Sequence, residues 1–99
     1  MASEASTTKA AAKLIRRRGG WVVKFHGTKA TRVGVPDHLI CYRGQFVAME
    51  MKAPGGEATP IQAHEIQKII AAGGRADVVD SVEKAEAILD AIDAELDGT

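Results

Sequence analysis

Ninety-nine residues, 45% hydrophobic and 26% charged, suit one small globular domain over 1–99, with a modest core and little room for a deep pocket. No stretch reaches the roughly 18 apolar residues of a membrane span, no apolar secretion signal opens the chain, and the lone Cys41 excludes an internal disulfide. The net charge of zero hides a division: residues 1–33 carry eight basic side chains against Glu4 alone, and residues 34–99 carry five basic against twelve acidic ones.

Residues 4–18 read as a helix with Ala11, Leu14 and Ile15 as a narrow apolar stripe, closed by Gly19-Gly20. Its Ser, Thr, Ala and Arg content faintly resembles an organellar transit peptide, but the clean stop and the strand that follows favour an ordinary first helix. Trp21–Phe25 reads as a strand, and His26–Gly34 as a polar loop carrying Lys29 and Arg32. Residues 37–42 and 45–50 are both strand-like, with Arg43-Gly44 the turn signal between them. The second of these strands is apolar on both faces, so a central, covered position is expected, with Cys41 buried on its neighbour. After the Ala53–Gly56 loop, Thr59 is the expected N-cap of a helix, with Pro60 in its first position and Gln62 completing a capping box. Ile61, Ile66, Ile69 and Ile70 are its expected core side, and Gly73-Gly74 its stop. Ala76–Asp80 reads as a short strand. A last helix, capped by Asp80 or Ser81, presents Val82, Ala85, Leu89, Ile92 and Leu96 at helical spacing. The order helix, three strands, helix, strand, helix is α/β, and packs most economically as a central mixed four-stranded sheet flanked by helices, with a parallel, right-handed crossover from Lys52 through Val78.

The chemistry lies in the hairpin. If the turn is centred on Arg43-Gly44, Tyr42 pairs with Gln45, and counting outward sets Asp37 opposite Glu50, with Cβ atoms about 4.5–5.5 Å apart. Lys52, two residues further, shares their face. A four-residue loop keeps this register, whereas a three-residue loop moves Asp37 off Glu50; Arg43 suits the first position of a type I′ turn poorly. Opposed carboxylates repel unless a cation sits between them, and hard oxygen ligands with room for water and phosphate suit Mg²⁺ or Mn²⁺. The arithmetic points to metal-assisted phosphodiester chemistry. The alternative is a metal-free structural domain with an Asp37–Lys52 salt bridge, which leaves the basic N-terminal third without a purpose. That basic third fits contact with a polyanion through Arg16, Arg17, Arg18, Lys24, Lys29 and Arg32, its plain counterpart being a solvated helix face, helix-end arginines matched to the helix dipole, and a snorkelling Lys24. With 4% aromatics a base-stacking platform is not expected, so binding should rest on phosphates and respond to salt. His26, His38 and His64 form no ligand set; each is expected at a surface or interface, with His38 facing away from Asp37.

Gly19-Gly20-Trp21 through Lys24-Phe25, Gly34-Val35-Pro36-Asp37, Glu50-Met51-Lys52-Ala53-Pro54-Gly55, Thr59-Pro60-Ile61-Gln62 and Gly74 through Ser81, in that order, resemble the PD-(D/E)xK nuclease superfamily, and within it the stand-alone VRR-NUC type domains of phages and bacteria. The resemblance covers nearly the whole chain. It implies a restriction-endonuclease-like α-β-β-β-α-β core and a Mg²⁺- or Mn²⁺-dependent DNA endonuclease, with no organic cofactor and no membrane partner. It implies that Asp37, Glu50 and the backbone carbonyl of Met51 hold the metal, joined by Glu4. Lys52 would position or activate the water, and Gln62 would reach the site from its helix as well as capping it. Relatives of this size resemble Holliday junction resolvases, which implies a homodimer acting on branched or structured DNA in the cytoplasm of a bacterial or phage-infected cell. The alternatives are a nicking or trimming nuclease on linear DNA and a catalytically silent DNA-binding module; intact Asp37, Glu50 and Lys52 argue against the last.

Overall fold

A computed structural model describes residues 3–26 and 32–98. Its elements are α1 (Glu4–Arg17), β1 (Trp21–Lys24), β2 (His38–Tyr42), β3 (Gln45–Met51), α2 (Pro60–Ala71), β4 (Arg75–Val79) and α3 (Val82–Asp97). The strands form one sheet in the order β1-β2-β3-β4, the first two pairings antiparallel and β3–β4 parallel. This is the mixed sheet with flanking helices expected from the sequence.

Local chemistry sets the helix ends. Ser3 and Ser6 make a reciprocal capping box at the start of α1, and Gly19, at φ +86°, follows its last turn. Thr59, Pro60 and Gln62 open α2 as anticipated, with each side chain of the Thr59–Gln62 pair accepting the other's backbone N–H. Ser81 caps α3, while the Asp80 carboxylate accepts the Gly55 N–H at 3.0 Å and ties down the loop after β3.

The core draws Ala11 and Ile15 from α1, Val22, Ile40, Tyr42, Val47, Met49, Met51 and Val79 from the sheet, and Ala85, Leu89 and Ile92 from α3. A fully buried isoleucine or leucine among them contributes about 1.5–3 kcal/mol. The register places Trp21, Cys41 and Phe46 in one row on the opposite face, and all three are exposed. Cys41 is therefore not the buried hydrophobe expected, because none of the described helices covers its half of that face. Ile61 and Ile70 also depart from expectation: both are exposed, and Ile66 is the buried isoleucine of α2. A twelve-residue helix at the sheet's edge buries a narrower stripe than four isoleucines would fill.

Candidate active site

The hairpin turn decides the geometry. Arg43 and Gly44 have φ of +50° and +79°, the pattern of a two-residue turn with both residues left-handed. Arg43 is an uncongenial residue there, yet its guanidinium reaches α3 and bonds Asp93 at 2.9 Å and Asp97 at 3.0 Å, which offsets the backbone cost. Asp93 also accepts the Tyr42 hydroxyl and the Arg18 guanidinium, so the turn is tied to α1 and α3 together. The ladder then runs without a slip from Tyr42↔Gln45 to His38↔Met49, and one step further sets Asp37 against Glu50.

Asp37 is held from three sides. Its carbonyl accepts the Phe25 N–H at 2.7 Å. Its Oδ1 accepts the Met51 N–H at 2.9 Å and meets His38 Nδ1 at 3.0 Å. Burial pushes the Asp37 pKa up, but the His38 and Met51 hydrogen bonds outweigh it and hold the group below the ordinary carboxylate value. Asp37 is thus ionised at neutral pH.

Glu50 is the opposite case. It is 5% exposed, and no hydrogen bond or ion pair from the described residues engages its carboxyl. Burial first, then the Asp37 charge, raise its pKa to about 7; Lys52 pulls it down, Glu4 pushes it up and His38 pulls it down. Two carboxylates in unlike environments, one ionised and one reluctant, mark a place where a further positive charge would be taken up readily.

Lys52 leaves the sheet through a backbone bond to the Val79 carbonyl at 3.0 Å. A Cβ at Gly56 would stand 2.9 Å from the Lys52 Cβ, so this glycine lets the loop close against the lysine stem. Gln62 bonds the Thr59 N–H through Oε1 at 2.9 Å and also lines an open cavity with Lys24, His26, Arg32, Asp37 and Glu50. Gly34 joins the two walls of this cavity: at φ +89°, its missing Cβ would lie 2.3 Å from Ile61 Cγ2 and 2.9 Å from the Ile61 carbonyl oxygen.

The fold has a counterpart among known proteins. No protein-family model matches the chain. A solved structure described as a VRR_NUC domain superposes with a TM-score of 0.76 at 25% identity, covering 90% of this chain and 97% of that one. The protein named "Putative nuclease p44", from Acyrthosiphon pisum secondary endosymbiont phage 1, is 38% identical over 68 residues, which is 68% of this chain and 71% of that protein. The chain belongs to the VRR-NUC nuclease family.

Within this VRR-NUC domain the remaining site residues fall into distinct settings. Glu4, in the first turn of α1, is near enough to bear on Glu50 electrostatically, although no cluster of three His, Cys, Asp or Glu forms a ready-made metal cage among the described residues. Arg16 donates to the Val22 carbonyl at 3.3 Å, and it lines a shallow exposed groove on α1 with Lys9, Lys13 and Arg17. Arg18 is engaged by Asp90 at 2.9 Å and Asp93 at 2.6 Å and lies over the Tyr42 ring. Arg32 pairs with Glu65 at 2.8 Å at the cavity wall, and Lys29 lies outside the described residues.

His38 departs most from expectation. It is 3% exposed rather than at a surface, and its Nδ1 turns to its neighbour's carboxylate rather than away. Strand alternation assigns Cβ directions, but at a strand end a polar ring can swing toward the preceding residue. The usable signal was the Asp-His dipeptide at the start of a strand, where short polar side chains bond locally. Lys9 and Lys13 extend the basic face of α1 beyond the arginine triplet, since residues three and four apart are neighbours on a helix surface.

Proposed function

We propose that this domain is a divalent-metal-dependent DNA endonuclease, with Asp37, Glu50 and the Met51 carbonyl holding Mg²⁺ or Mn²⁺ and Glu4 joining them. The observation that carries the reading is the hairpin register, which sets Asp37 against Glu50 with Lys52 beside them. The donor set fits such an ion: oxygen ligands only, one carboxylate already ionised, a second with no bonded partner among the described residues, and an open cavity that leaves room for water and a phosphate. Such an ion, when bound, neutralises the phosphate and lowers the pKa of a bound water.

The chain's own residues supply the rest. Asp37 presents an ionised carboxylate in a fixed orientation. Lys52, its stem held by the Gly56 turn, places an ammonium near Glu50, where it orients the attacking water and stabilises charge on the phosphate. Gln62 is fixed by its cap and contributes a polar side chain to the cavity wall. Lys24 and Arg32 on the cavity wall, and Arg16 and Arg17 on α1, joined there by Lys9 and Lys13, contact the backbone of the nucleic acid, together with Lys29. Arg18 is the weakest member of that set, since Asp90 and Asp93 already neutralise it.

Branched or structured DNA is the favoured substrate and a homodimer the favoured assembly, since two facing sites cut both strands of a junction; the bacterial or phage-infected cytoplasm is where that substrate forms. The test is incubation with a four-way junction, a flap and a linear duplex, under Mg²⁺, Mn²⁺ or EDTA, alongside Glu50→Ala. Metal-dependent cutting lost in the variant is expected. Preference for the linear duplex would replace the junction reading with a nicking or trimming one, and binding without cutting under every condition would overturn the nuclease reading.

A further inference from the structure

We infer that His38 is a positioning residue that fixes the Asp37 carboxylate for its metal, an inference that rests on the metal-dependent reading above. His38 occupies a row whose neighbours by register are Lys24 and Met49, with Ile40 and Val22 next along, and it is 3% exposed. A polar ring buried beside such neighbours is costly unless it is hydrogen-bonded. Among the described residues its ring makes a 3.0 Å contact from Nδ1 to Asp37 Oδ1. An ionised carboxylate only accepts, so Nδ1 carries the proton and donates.

The Met51 N–H donates to the same oxygen at 2.9 Å. Oδ1 is thereby engaged by one donor from its own strand and one from the facing strand, and Oδ2 receives neither bond. Two fixed donors on one oxygen stop the carboxylate rotating about its terminal torsion. They also fix which oxygen is presented to the cavity that Asp37 shares with Glu50. Met51 supplies its donor from the backbone, which no substitution short of proline removes; His38 supplies the one that side-chain identity decides. Outer partners of this kind typically govern 10–100-fold in metal affinity or activity.

The test uses the full chain and Mn²⁺ alone, with binding followed by titration calorimetry and folding by thermal unfolding in EDTA. His38→Asn places an amide nitrogen where Nδ1 stands, His38→Gln places it one bond further out, and His38→Leu fills the space with no donor. Expected are Mn²⁺ affinities near wild type for Asn and roughly 10–100-fold weaker for Leu and Gln. The Mn²⁺ concentration giving half-maximal cleavage should shift likewise, while the rate at saturating Mn²⁺ recovers. Leu at wild-type affinity, or Asn as weak as Gln, would overturn the inference. If Leu fails to fold, the Asn–Gln contrast decides alone. A wild-type chain that takes up no Mn²⁺ would instead overturn the metal reading itself.

Discussion

The two ends of the β2–β3 hairpin treat charge in opposite ways. At the turn, Arg43, Asp93, Asp97 and Arg18 are cross-bonded, with Tyr42 joining them, and each charge meets its opposite. At the open end, Asp37 faces Glu50, and Glu50 has no bonded partner among the described residues. The first arrangement stabilises the register, and the second uses it. A one-residue slip at the turn would carry every side chain of β3 to the other face and separate the carboxylates. The paired end is thus the reason the unpaired end can exist.

Breaking the open end should have the largest effect on activity. Asp37→Ala or Glu50→Ala should bring cleavage to background in a gel assay while circular dichroism stays native, and wild-type cutting by either would remove both from the site. Breaking the paired end should do the reverse. Asp93→Ala strips the acceptor shared by Tyr42, Arg18 and Arg43, so the Tm should fall by several degrees, with cleavage retained below the new Tm. Gly34→Ala should damage both properties: a methyl at φ +89° runs into Ile61 backbone and side chain, costing roughly 1–3 kcal/mol, read by urea unfolding, and pushing Asp37 away from Gln62.

The contrast also has a pH signature. The folded-state pKa of Glu50, about 7, lies above its ordinary value of 4.5, so the fold favours its protonated form. The stability this contributes is full below about pH 4.5 and is lost as pH rises through 7. The metal-free protein should therefore melt lower at pH 8.5 than at pH 5.5, by an amount corresponding to about 1–3 kcal/mol after allowance for partial solvation. Glu50→Gln should flatten that slope, and a slope unchanged in the variant would assign it elsewhere. Asp37, depressed rather than raised, acts in the other direction and only in acid, where stability is lost as pH falls below its ordinary 3.8. Smallest of all, Gln62→Glu keeps a capping-box side chain, so the Tm should move little; a fall in cleavage at constant Tm would separate its place in the cavity from its place in the cap.

Much of this was legible because short-range rules carry it. The Thr59-Pro60-Ile61-Gln62 start, the Arg43-Gly44 turn and the register counted outward from it depend on neighbours in sequence, and the structure follows them. What escaped depends on what covers what. Alternation placed Cys41 on a face but not which half of that face a helix would cover. Helical spacing grouped Ile61 with Ile66 without revealing that Ile61 would serve as the floor under Gly34. Arg18 looked like one of three equivalent arginines until α3 supplied Asp90 and Asp93, more than 70 residues away. Asp37, Glu50 and Lys52 were legible as a set because one hairpin and its continuation carry all three; the His38 contact was not, since it depends on a ring's rotation rather than on strand parity.

The bond from Arg16 to the Val22 carbonyl has a consequence for how the molecule keeps company. Phe25 bonds to Asp37, so Val23 and Trp21 turn their backbone groups inward and Val22 turns its carbonyl toward the open edge of β1. An exposed edge beside Trp21 and Val23 invites a foreign strand to add on, the first step toward aggregates. The guanidinium occupies the acceptor such a strand would need, and it sets a bulky charge across its path. One arginine on the helix before the sheet thus acts as a stopper at the edge of the four-stranded sheet.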